Sequence, residues 1–291
     1  MFLVLIIAFL TLRMSGSPIE IMFPDGITEE HQLALEEKWD LHLPLHEQFA
    51  IYMKQVVQGD FGISIYTRQP VVEMYWDRFP PTLAVGGLAF LISALIGIPL
   101  GLIAALKRNS TFDRVCTSFL FFSYAIPNFV VGIILILIFG YHLKLLPVTG
   151  LDSWQNYILP VTALAIPMIA TNARYMRSSM LDTINKDYVM TASLKGVPDS
   201  KISKNHLLRN AMLSVITVLG LEVTSIVNGS IFIEVVFSLL GVGRVLIGAV
   251  ADRDFAVLQF GVVAYCAIII VVNLLIDLIY GIVDPRIQVE G

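Results

Sequence analysis

Four of the polar side chains inside long apolar stretches of the sequence are candidates for a functional role. They are Asn128, Glu222, Asn228 and Asn273. A charged side chain near the centre of a membrane helix costs roughly 2.5–3.5 kcal/mol on insertion scales, so such groups face other helices or water. Two roles fit them: lining a path for a charged or peptide-like cargo, or hydrogen-bonding one helix to another. Asp277, near the end of its apolar run, favours the second role because its carboxylate can reach the interface.

The sequence does not support catalysis or metal binding by this chain. His31, His42 and His46 are close together, but their spacing is not that of a metal site and their segment is acidic. We therefore expect no catalytic residue and no metal site. Cys116 and Cys266 lie at membrane-span positions, where we interpret them as small hydrophobic residues. The G-x-x-x-x-G-K-[ST] phosphate loop is missing from the sequence, so the chain cannot hold ATP by that route.

Long apolar runs must position these polar residues. The chain has 291 residues, of which 56% are hydrophobic and 14% are charged. Five runs reach the roughly 20 residues that a membrane helix needs: 82–106, 115–141, 154–173, 211–233 and 255–283. The shorter run 1–12 is expected to form a sixth span, shallow or lacking residues upstream. Because spans in lipid satisfy their backbone groups internally, the fold class is an all-α polytopic membrane protein with about six transmembrane helices.

The distribution of Lys and Arg predicts the orientation. Basic residues concentrate in the loops 107–114 and 174–210, whereas the alternate loops 142–153 and 234–254 hold few. Basic loops face the cytoplasm, and we therefore expect both termini to be cytoplasmic. The expected organisation is a first membrane helix at 1–14, an extracytoplasmic segment at 15–78, a membrane core at 79–283 and a cytoplasmic tail at 284–291.

Two segments outside the spans have helical patterns of their own. Apolar residues at helical spacing between 45 and 58, followed by Gly59, predict an amphipathic helix. We expect this helix to pack on span ends, and contact with substrate is the alternative. The segment 234–254 is too short to cross and return, so we expect a re-entrant or interfacial half-helix on the outer side. Four of its charged residues fit an outer gate held by ion pairs: Glu234, Arg244, Arg253 and Asp254.

The stretch 187–210, DYVMTASLKGVPDSKISKNHLLRN, is polar and basic in an otherwise apolar chain. Its pattern predicts a helix over 188–195, an end at Gly196 in the left-handed conformation, and a second helix that runs into the next span. A short helix fixed to spans on both sides can transmit motion. A solvated basic loop that only sets the topology is the alternative.

Several stretches resemble one known family. MTASLKG at 190–196 and HLLRN at 206–210 are similar to the coupling loop of binding-protein-dependent ABC importer permeases, in the branch that imports dipeptides, oligopeptides and nickel. Further similar stretches follow the order of that branch: GDFGISIYTRQPV at 59–71, PPTL at 80–83, GIPLG at 97–101, 229–259, and DPR at 284–286. The chain departs from the family at Leu240 and Ala256, where proline is usual, and in its short first span.

The resemblance implies a type I ABC importer transmembrane domain in the cell membrane that forms half of a translocation path. The implied partners are a second permease, two subunits that bind ATP and Mg, and an extracytoplasmic binding protein, with no nucleic acid. The implied ATPase-docking surface comprises Thr191, Ala192, Lys195, Gly196 and Val197, braced by Leu208 and Arg209.

The sequence does not decide the cargo among peptides, nickel and metal chelates. An ion-coupled secondary carrier that uses Glu222 and Asp277 as proton sites, and a membrane scaffold that does not transport, are the alternative functions.

Overall fold

The computed structural model describes residues 2–23, 25–198, 201–202 and 207–283, with the backbone alone at 18, 21, 209, 227–229, 280 and 282–283. The second helix predicted within the stretch 187–210 was expected to start near Asp199 and Ser200, and that start lies outside these residues. His206 and the tail 284–291 also lie outside them.

The described residues confirm the all-α fold class. The helices are α1 (Phe2–Met14), α2 (Pro18–Met22), α3 (Glu29–Lys38), α4 (Leu45–Gln58), α5 (Val71–Leu106), α6 (Thr111–Ala125), α7 (Asn128–Leu135), a π-helical segment (Ile136–His142), α8 (Trp154–Ile184), α9 (Asp187–Leu194), α10 (Arg209–Val236), α11 (Val242–Ala251) and α12 (Phe255–Val283). In the same part of the chain, extended pairing is limited to one bridge between Ile63 and Pro70.

Length and composition alone identify fewer spans than the sequence predicted. Among the described residues, two helical stretches are long and apolar enough to cross a membrane, Val71–Leu106 and Phe255–Ile279, and two bent pairs raise the number to four at most. The predicted count of about six also includes α1 and α8. With 13 residues, α1 is about 20 Å long and short for a span, whereas α8 has 31 residues but includes polar ones such as Asn172 and Arg177.

Pro127 breaks the second apolar run into two helices. Ile126, the residue before it, is extended at φ −86° and ψ 124°, as proline requires of its predecessor. The helices on either side meet at 98°. Pro160 and Pro167, in contrast, lie inside the continuous helix α8. Proline therefore ends a helix at only one of these three positions.

Internal contacts divide the chain into two compact units. The first unit contains the described residues up to Pro80 together with Arg244–Ile268, and the second contains Pro81–Gly243 and the remainder of α12. The predicted outer segment is therefore divided at Gly243.

In the first unit, the amphipathic helix α4 packs on α1 as predicted. The ring of Phe9 lies 5.3 Å from the ring of Phe49 and 5.9 Å from that of Tyr52, centroid to centroid. The predicted cap Gly59 has a φ of +73°, and the Asp60 N–H donates to the Gln55 carbonyl oxygen at 3.0 Å. These are the marks of a glycine-terminated helix.

In the second unit, two glycines let α5 pack directly against α8. A Cβ added at Gly97 would lie 2.8 Å from the Asn172 Cβ and 2.9 Å from the Ile169 carbonyl oxygen. One added at Gly101 would overlap the Ala173 carbonyl oxygen and lie 2.8 Å from the Met176 Cβ. Glycines four residues apart let membrane helices approach closely, which gives a physical reason for the GIPLG sequence.

Candidate functional site: an elbow and a buried polar cluster

The elbow at 187–198 has the helix and the turn that its sequence predicts. Helix α9 is closed by a Schellman motif, in which the Val197 N–H donates to the Ala192 carbonyl oxygen at 3.2 Å and the Gly196 N–H donates to that of Ser193 at 2.9 Å. Gly196 takes the left-handed conformation, with φ +75°. The motif fixes the direction in which the chain leaves the helix.

One face of the elbow is packed against the membrane helices. Val189 and Ala192 are buried, and Val197 and Leu208 are half-buried against the same cluster. The cluster also includes Ala105, Met176, Met180, Ile202, Leu207, Ala211 and Val215, which come mainly from α5, α8 and α10. In addition, the Asn210 Nδ2 donates to the Tyr188 hydroxyl at 2.9 Å. The elbow is therefore tied to the helices before and after it.

The opposite face of the elbow is exposed and carries two apolar side chains. Met190 is 66% exposed and Leu194 is 79% exposed, and their spacing of four residues places them on one face of the helix. Thr191, Lys195 and Gly196 are exposed as well. Sequence reasoning missed Met190 and Leu194, although their apolar character and spacing were visible in MTASLKG.

The predicted docking set needs a correction at two positions. Ala192 and Val197 face inward, where they hold the elbow to the helices instead of belonging to its exposed surface. Leu208 is half-buried against the same cluster, and its bracing role stays a prediction. The side chain of Arg209 lies outside the described residues.

A buried polar cluster joins three helices of the second unit. Asn172 of α8 is 0% exposed and Glu222 of α10 is 8% exposed. The Asn172 Nδ2 donates to the Glu222 Oε2 at 2.9 Å and to the Ser93 Oγ of α5 at 3.2 Å. The Asn172 Oδ1 and the Glu222 Oε1 are buried and have no hydrogen-bond partner among the described residues. Two acceptors therefore remain available at the centre of the unit.

Two of the four predicted path residues line one cavity next to this cluster. Asn128 and Glu222, with Ser225, border a cavity of 110 Å³ whose walls are otherwise apolar. Asn273 is exposed on α12, and the side chain of Asn228 is outside the described residues. Sequence reasoning missed Ser93 and Asn172. For Asn172 a signal existed, since it is an uncharged polar residue within a long apolar helix.

Glu234, which was predicted at an outer gate, is buried in a second polar cluster. Its Oε1 accepts hydrogen bonds from the Thr82 Oγ1 at 2.6 Å and the Ser230 Oγ at 2.9 Å. The Thr82 Oγ1 in turn accepts from the Val242 N–H at 2.9 Å. Thr82 thus links the start of the membrane part of α5 to the turn before α11.

The glycines of that turn make room for the carboxylate. A Cβ at Gly241 would overlap the Glu234 carboxylate, and one at Gly243 would lie 2.9 Å from its Oε2 and 2.6 Å from the Ile231 Cα. The turn is therefore built around Glu234.

Two other residues of the predicted gate set, Asp254 and Arg253, have partners within the first unit. Asp254 of the first unit accepts from the Ser64 Oγ at 2.6 Å and from the Ile65 N–H at 3.1 Å, which anchors the stretch 59–71. The Arg253 Nη1 lies 3.3 Å from a carboxylate oxygen of Glu20. Arg253 therefore pairs with a residue that was not in the predicted gate set. Arg244 is exposed.

An ion pair that the sequence did not reveal connects α6 to α8. The Arg177 Nε lies 2.6 Å from the Asp113 Oδ1, and its Nη2 lies 2.8 Å from the Asp113 Oδ2. Such two-point pairing is the strong form of the arginine–carboxylate contact. Asp113 also accepts from the Asn109 N–H at 3.0 Å, so the loop before α6 is fixed to the same carboxylate.

Within the described ranges, no group of three or more His, Cys, Asp and Glu side chains could hold a metal ion.

The helical membrane fold, its buried polar clusters and its anchored elbow define a multi-pass membrane permease. A family model described as "Binding-protein-dependent transport system inner membrane component" matches residues 97–289. The chain is 36% identical over 290 residues to the glutathione transport system permease protein GsiC of Escherichia coli K12, covering 99% of this chain and 94% of that protein. It is 37% identical over 305 residues to the dipeptide transport system permease protein DppB of the same strain, covering 94% of this chain and 90% of that protein.

Solved structures show the same fold. The MetNI methionine ABC transporter in an inward-facing conformation aligns with a TM-score of 0.61 at 16% identity, covering 74% of this chain and 99% of that chain. An amino acid ABC transporter aligns with a TM-score of 0.54 at 18% identity, covering 72% of this chain and 93% of that chain.

The chain belongs to the family of binding-protein-dependent transport system inner membrane components. It is a permease subunit of an ABC importer with the type I fold. The relatives support this function and not the ion-coupled secondary carrier.

Proposed function

We propose that this chain forms half of the translocation path of an ATP-driven importer for short peptides. The relatives at 36–37% identity are named for glutathione and for dipeptides, which favours a short peptide over nickel or a metal chelate as cargo. The proposed partners are a second permease, an extracytoplasmic binding protein, and two subunits that bind ATP and Mg. Both termini are proposed to be cytoplasmic, with 15–78 outside.

The exposed face of the elbow is the surface on which an ATPase subunit docks in this proposal. The supporting observation is that one helix face is anchored while the other presents Met190 and Leu194. An apolar pair exposed on a polar segment fits a protein contact. Thr191, Lys195 and Gly196 border the pair, and Ala192, Val197 and Leu208 pack on the opposite side. A bracing role for Arg209 is proposed from its sequence position alone.

The contacts of the elbow suggest how ATPase movement reaches the path. The cluster beneath α9 contains residues of α5, α8 and α10, and the Ser93–Asn172–Glu222 cluster joins the same three helices. A displacement of the elbow therefore shifts the helices that hold the polar cluster. Packed elements of this kind have discrete arrangements, which allows a small displacement to open or close a path.

Inside the membrane, Glu222 and Asn128 are proposed to line the path. The unpaired Glu222 Oε1 and Asn172 Oδ1 are acceptors, and a peptide offers N–H and ammonium donors that match them. Asn228 and Asn273 are placed on the same path by their sequence positions. On the outer side, the turn around Glu234 and the anchored residues Arg253 and Asp254, together with Arg244, are proposed to control entry.

Leu194→Asp tests the docking surface. Leu194 is exposed, so the substitution leaves the fold unchanged, but a carboxylate buried in an apolar contact without a partner is strongly unfavourable. We expect the purified variant to lose its ATPase subunits and at least 90% of ATP-driven dipeptide uptake, an order-of-magnitude expectation from that desolvation cost. Leu33→Asp, an exposed leucine of α3, is the matched control and should behave as wild type. A Leu194→Asp protein that keeps its ATPases and its uptake would contradict the proposal.

A further inference from the structure

The first unit contains a cavity that the transport mechanism above does not use. Its volume is 320 Å³, and it lies among α1, α4, the stretch 59–71 and the start of α12. Pockets for small organic ligands measure about 300–1,000 Å³, so this one suits a small ligand. Its wall combines aromatic rings, such as the pair Phe61 and Phe260 at 4.7 Å, with charged side chains of both signs, including Lys38 and Asp60.

Gln48 of α4 presents a buried acceptor in the wall of this cavity. The side chain is 6% exposed. Its Nε2 donates to the Leu43 carbonyl oxygen at 2.8 Å and to that of Leu41 at 3.3 Å. Because both bonds are to carbonyl oxygens, they fix which end of the amide is nitrogen. The Oε1 is left buried without a hydrogen-bond partner among the residues that the structure describes.

Two donors of residues in the same wall are also buried without hydrogen-bond partners among the described residues. The guanidinium of Arg13 lies over two rings, with its central carbon 5.4 Å from the Phe9 centroid and 4.9 Å from that of Phe255. Within the described ranges, the Arg13 Nε and the Gln259 Nε2 are buried and unpaired. Cation–π attraction to the two rings helps to hold the guanidinium in place.

Tyr52 adds a neutral donor to the wall. Burial raises the pKa of its phenol to about 12, so the hydroxyl stays protonated at physiological pH. Leaving buried donors and acceptors unpaired is costly, and here two donors and one acceptor share one cavity. A second cavity of 320 Å³ adjoins it through Arg13, Leu41, Gln48 and Phe255.

We propose that this cavity is a binding site for a short peptide, separate from the translocation path. The ligand carboxylate accepts from Arg13 and Gln259, a ligand N–H donates to the Gln48 Oε1, and an apolar ligand side chain lies against Tyr52, Phe61 and Phe260. This assignment rests on the proposed function, because it takes the importer's cargo class as the ligand. Most of the wall of this site comes from the segment 15–78, which is proposed above to be extracytoplasmic.

The test measures binding and uptake with the same preparation. The full chain, with the subunits that co-purify, is placed in lipid nanodiscs, and binding of radiolabelled alanyl-phenylalanine is measured by equilibrium dialysis. Competition with its C-terminal amide and with inorganic phosphate identifies the group that is recognised. The variants are Gln48→Leu and Gln259→Leu. Gln58→Leu, an exposed glutamine of α4 outside the cavity, is the matched control.

We expect saturable binding that the amide competes for at least tenfold more weakly than the free dipeptide, since it lacks the carboxylate. Each cavity variant should bind about tenfold more weakly than wild type, the effect of one hydrogen bond to a buried group, and Gln58→Leu should bind normally. Gln259→Leu removes a donor that has no partner within the described residues, so it tests the site even if Gln48→Leu does not fold.

Three results would overturn the assignment: no binding, peptide binding that neither cavity variant changes, or displacement by phosphate as effective as by peptide. ATP-driven uptake of the same dipeptide in proteoliposomes separates this inference from the proposed function. Uptake that persists while the cavity binds nothing removes the cavity site alone. Cavity binding without ATP-driven uptake removes the proposed function alone.

Discussion

At the scale of single residues, two buried glutamates of the second unit have opposite surroundings. Glu234 is enclosed by Thr82, Ser230 and the glycine turn. Glu222 keeps one oxygen without a partner among the described residues and borders a cavity. The first arrangement stabilises a turn, and the second leaves a carboxylate oxygen available to a cargo. The residue type is the same, and the neighbours decide its role.

Glu222→Gln tests the path role of that carboxylate. The amide keeps the size of the side chain and can still accept from the Asn172 Nδ2, but it removes the charge offered to a peptide ammonium. Since hydrogen bonds to charged groups contribute about 1.5–3 kcal/mol, we expect uptake to fall at least tenfold with an unchanged melting temperature. Initial uptake rates and thermal unfolding in detergent measure the two effects. Unchanged uptake would assign Glu222 to helix packing alone.

Thr82→Val tests the turn around Glu234. Valine keeps the shape of threonine but removes the hydrogen bond that Thr82 donates to the Glu234 carboxylate and the one that it accepts from the Val242 N–H. We expect a loss of about 1–3 kcal/mol in the free energy of unfolding, because both groups are buried. Thermal or denaturant unfolding of the purified chain measures it. Thr11→Val, whose hydroxyl bonds within an exposed turn of its own helix, is the control, and equal stability of the two variants would contradict this role.

At the scale of elements, close helix packing connects the elbow to the Ser93–Asn172–Glu222 cluster. Gly97 and Gly101 bring α5 against α8, and the Asp113–Arg177 pair fixes α6 to α8. The long helix α8 therefore carries contacts to the elbow, the polar cluster and two neighbouring helices. Movement at one end of α8 reaches the others through packed side chains.

Gly101→Leu tests this packing against Gly87→Leu in the same helix. Any side chain at position 101 meets the Ala173 carbonyl oxygen, whereas a Cβ at Gly87 has no atom within 4 Å among the described residues. Overpacking costs about 1–3 kcal/mol, so we expect Gly101→Leu to lower the melting temperature and uptake. Gly87→Leu should leave both unchanged. Equal behaviour of the two variants in unfolding and uptake assays would show that α5 and α8 are not in close contact.

Gly196 tests whether the shape of the elbow matters to coupling. Its φ of +75° suits glycine and, less well, asparagine, and strains a β-branched residue. A Cβ there meets no described atom within 4 Å, so a substitution acts through the backbone or through a docked partner. We expect Gly196→Val to abolish peptide-stimulated ATPase activity with normal membrane insertion, and Gly196→Asn to keep part of it. Normal ATPase coupling in Gly196→Val would exclude this role.

The elements that sequence reasoning predicted are those with local signals. Helix α4 with its Gly59 cap and helix α9 with its Gly196 cap each depend on residues that are close along the chain. Only part of the Ser93–Asn172–Glu222 cluster was predicted. Glu222 stands out in the sequence because it is charged, whereas Ser93 and Asn172 join it from other helices. The Asp113–Arg177 pair and the anchoring of Ser64 by Asp254 also join distant residues. The gate predicted from four charged residues stays a prediction, because charge alone does not indicate which partner is near.

At the scale of the whole molecule, the two units are not consecutive segments of the chain. The first unit combines the N-terminal segment with Arg244–Ile268, so the predicted outer segment is shared between the units. The second unit contains the elbow, the Glu222 cluster and the Glu234 cluster. Family membership then explains why such a chain contains no phosphate loop, since in the proposed assembly ATP is bound by partner subunits.

The measurement that tests the central claim most directly is transport by the purified native assembly. The tagged chain is purified from its own membranes in mild detergent, its partners are identified, and the assembly is reconstituted in proteoliposomes with labelled dipeptide. The account predicts co-purified ATPase subunits and dipeptide accumulation that requires ATP and persists without any ion gradient. A chain that purifies without ATPases and accumulates dipeptide under an ion gradient alone would contradict it.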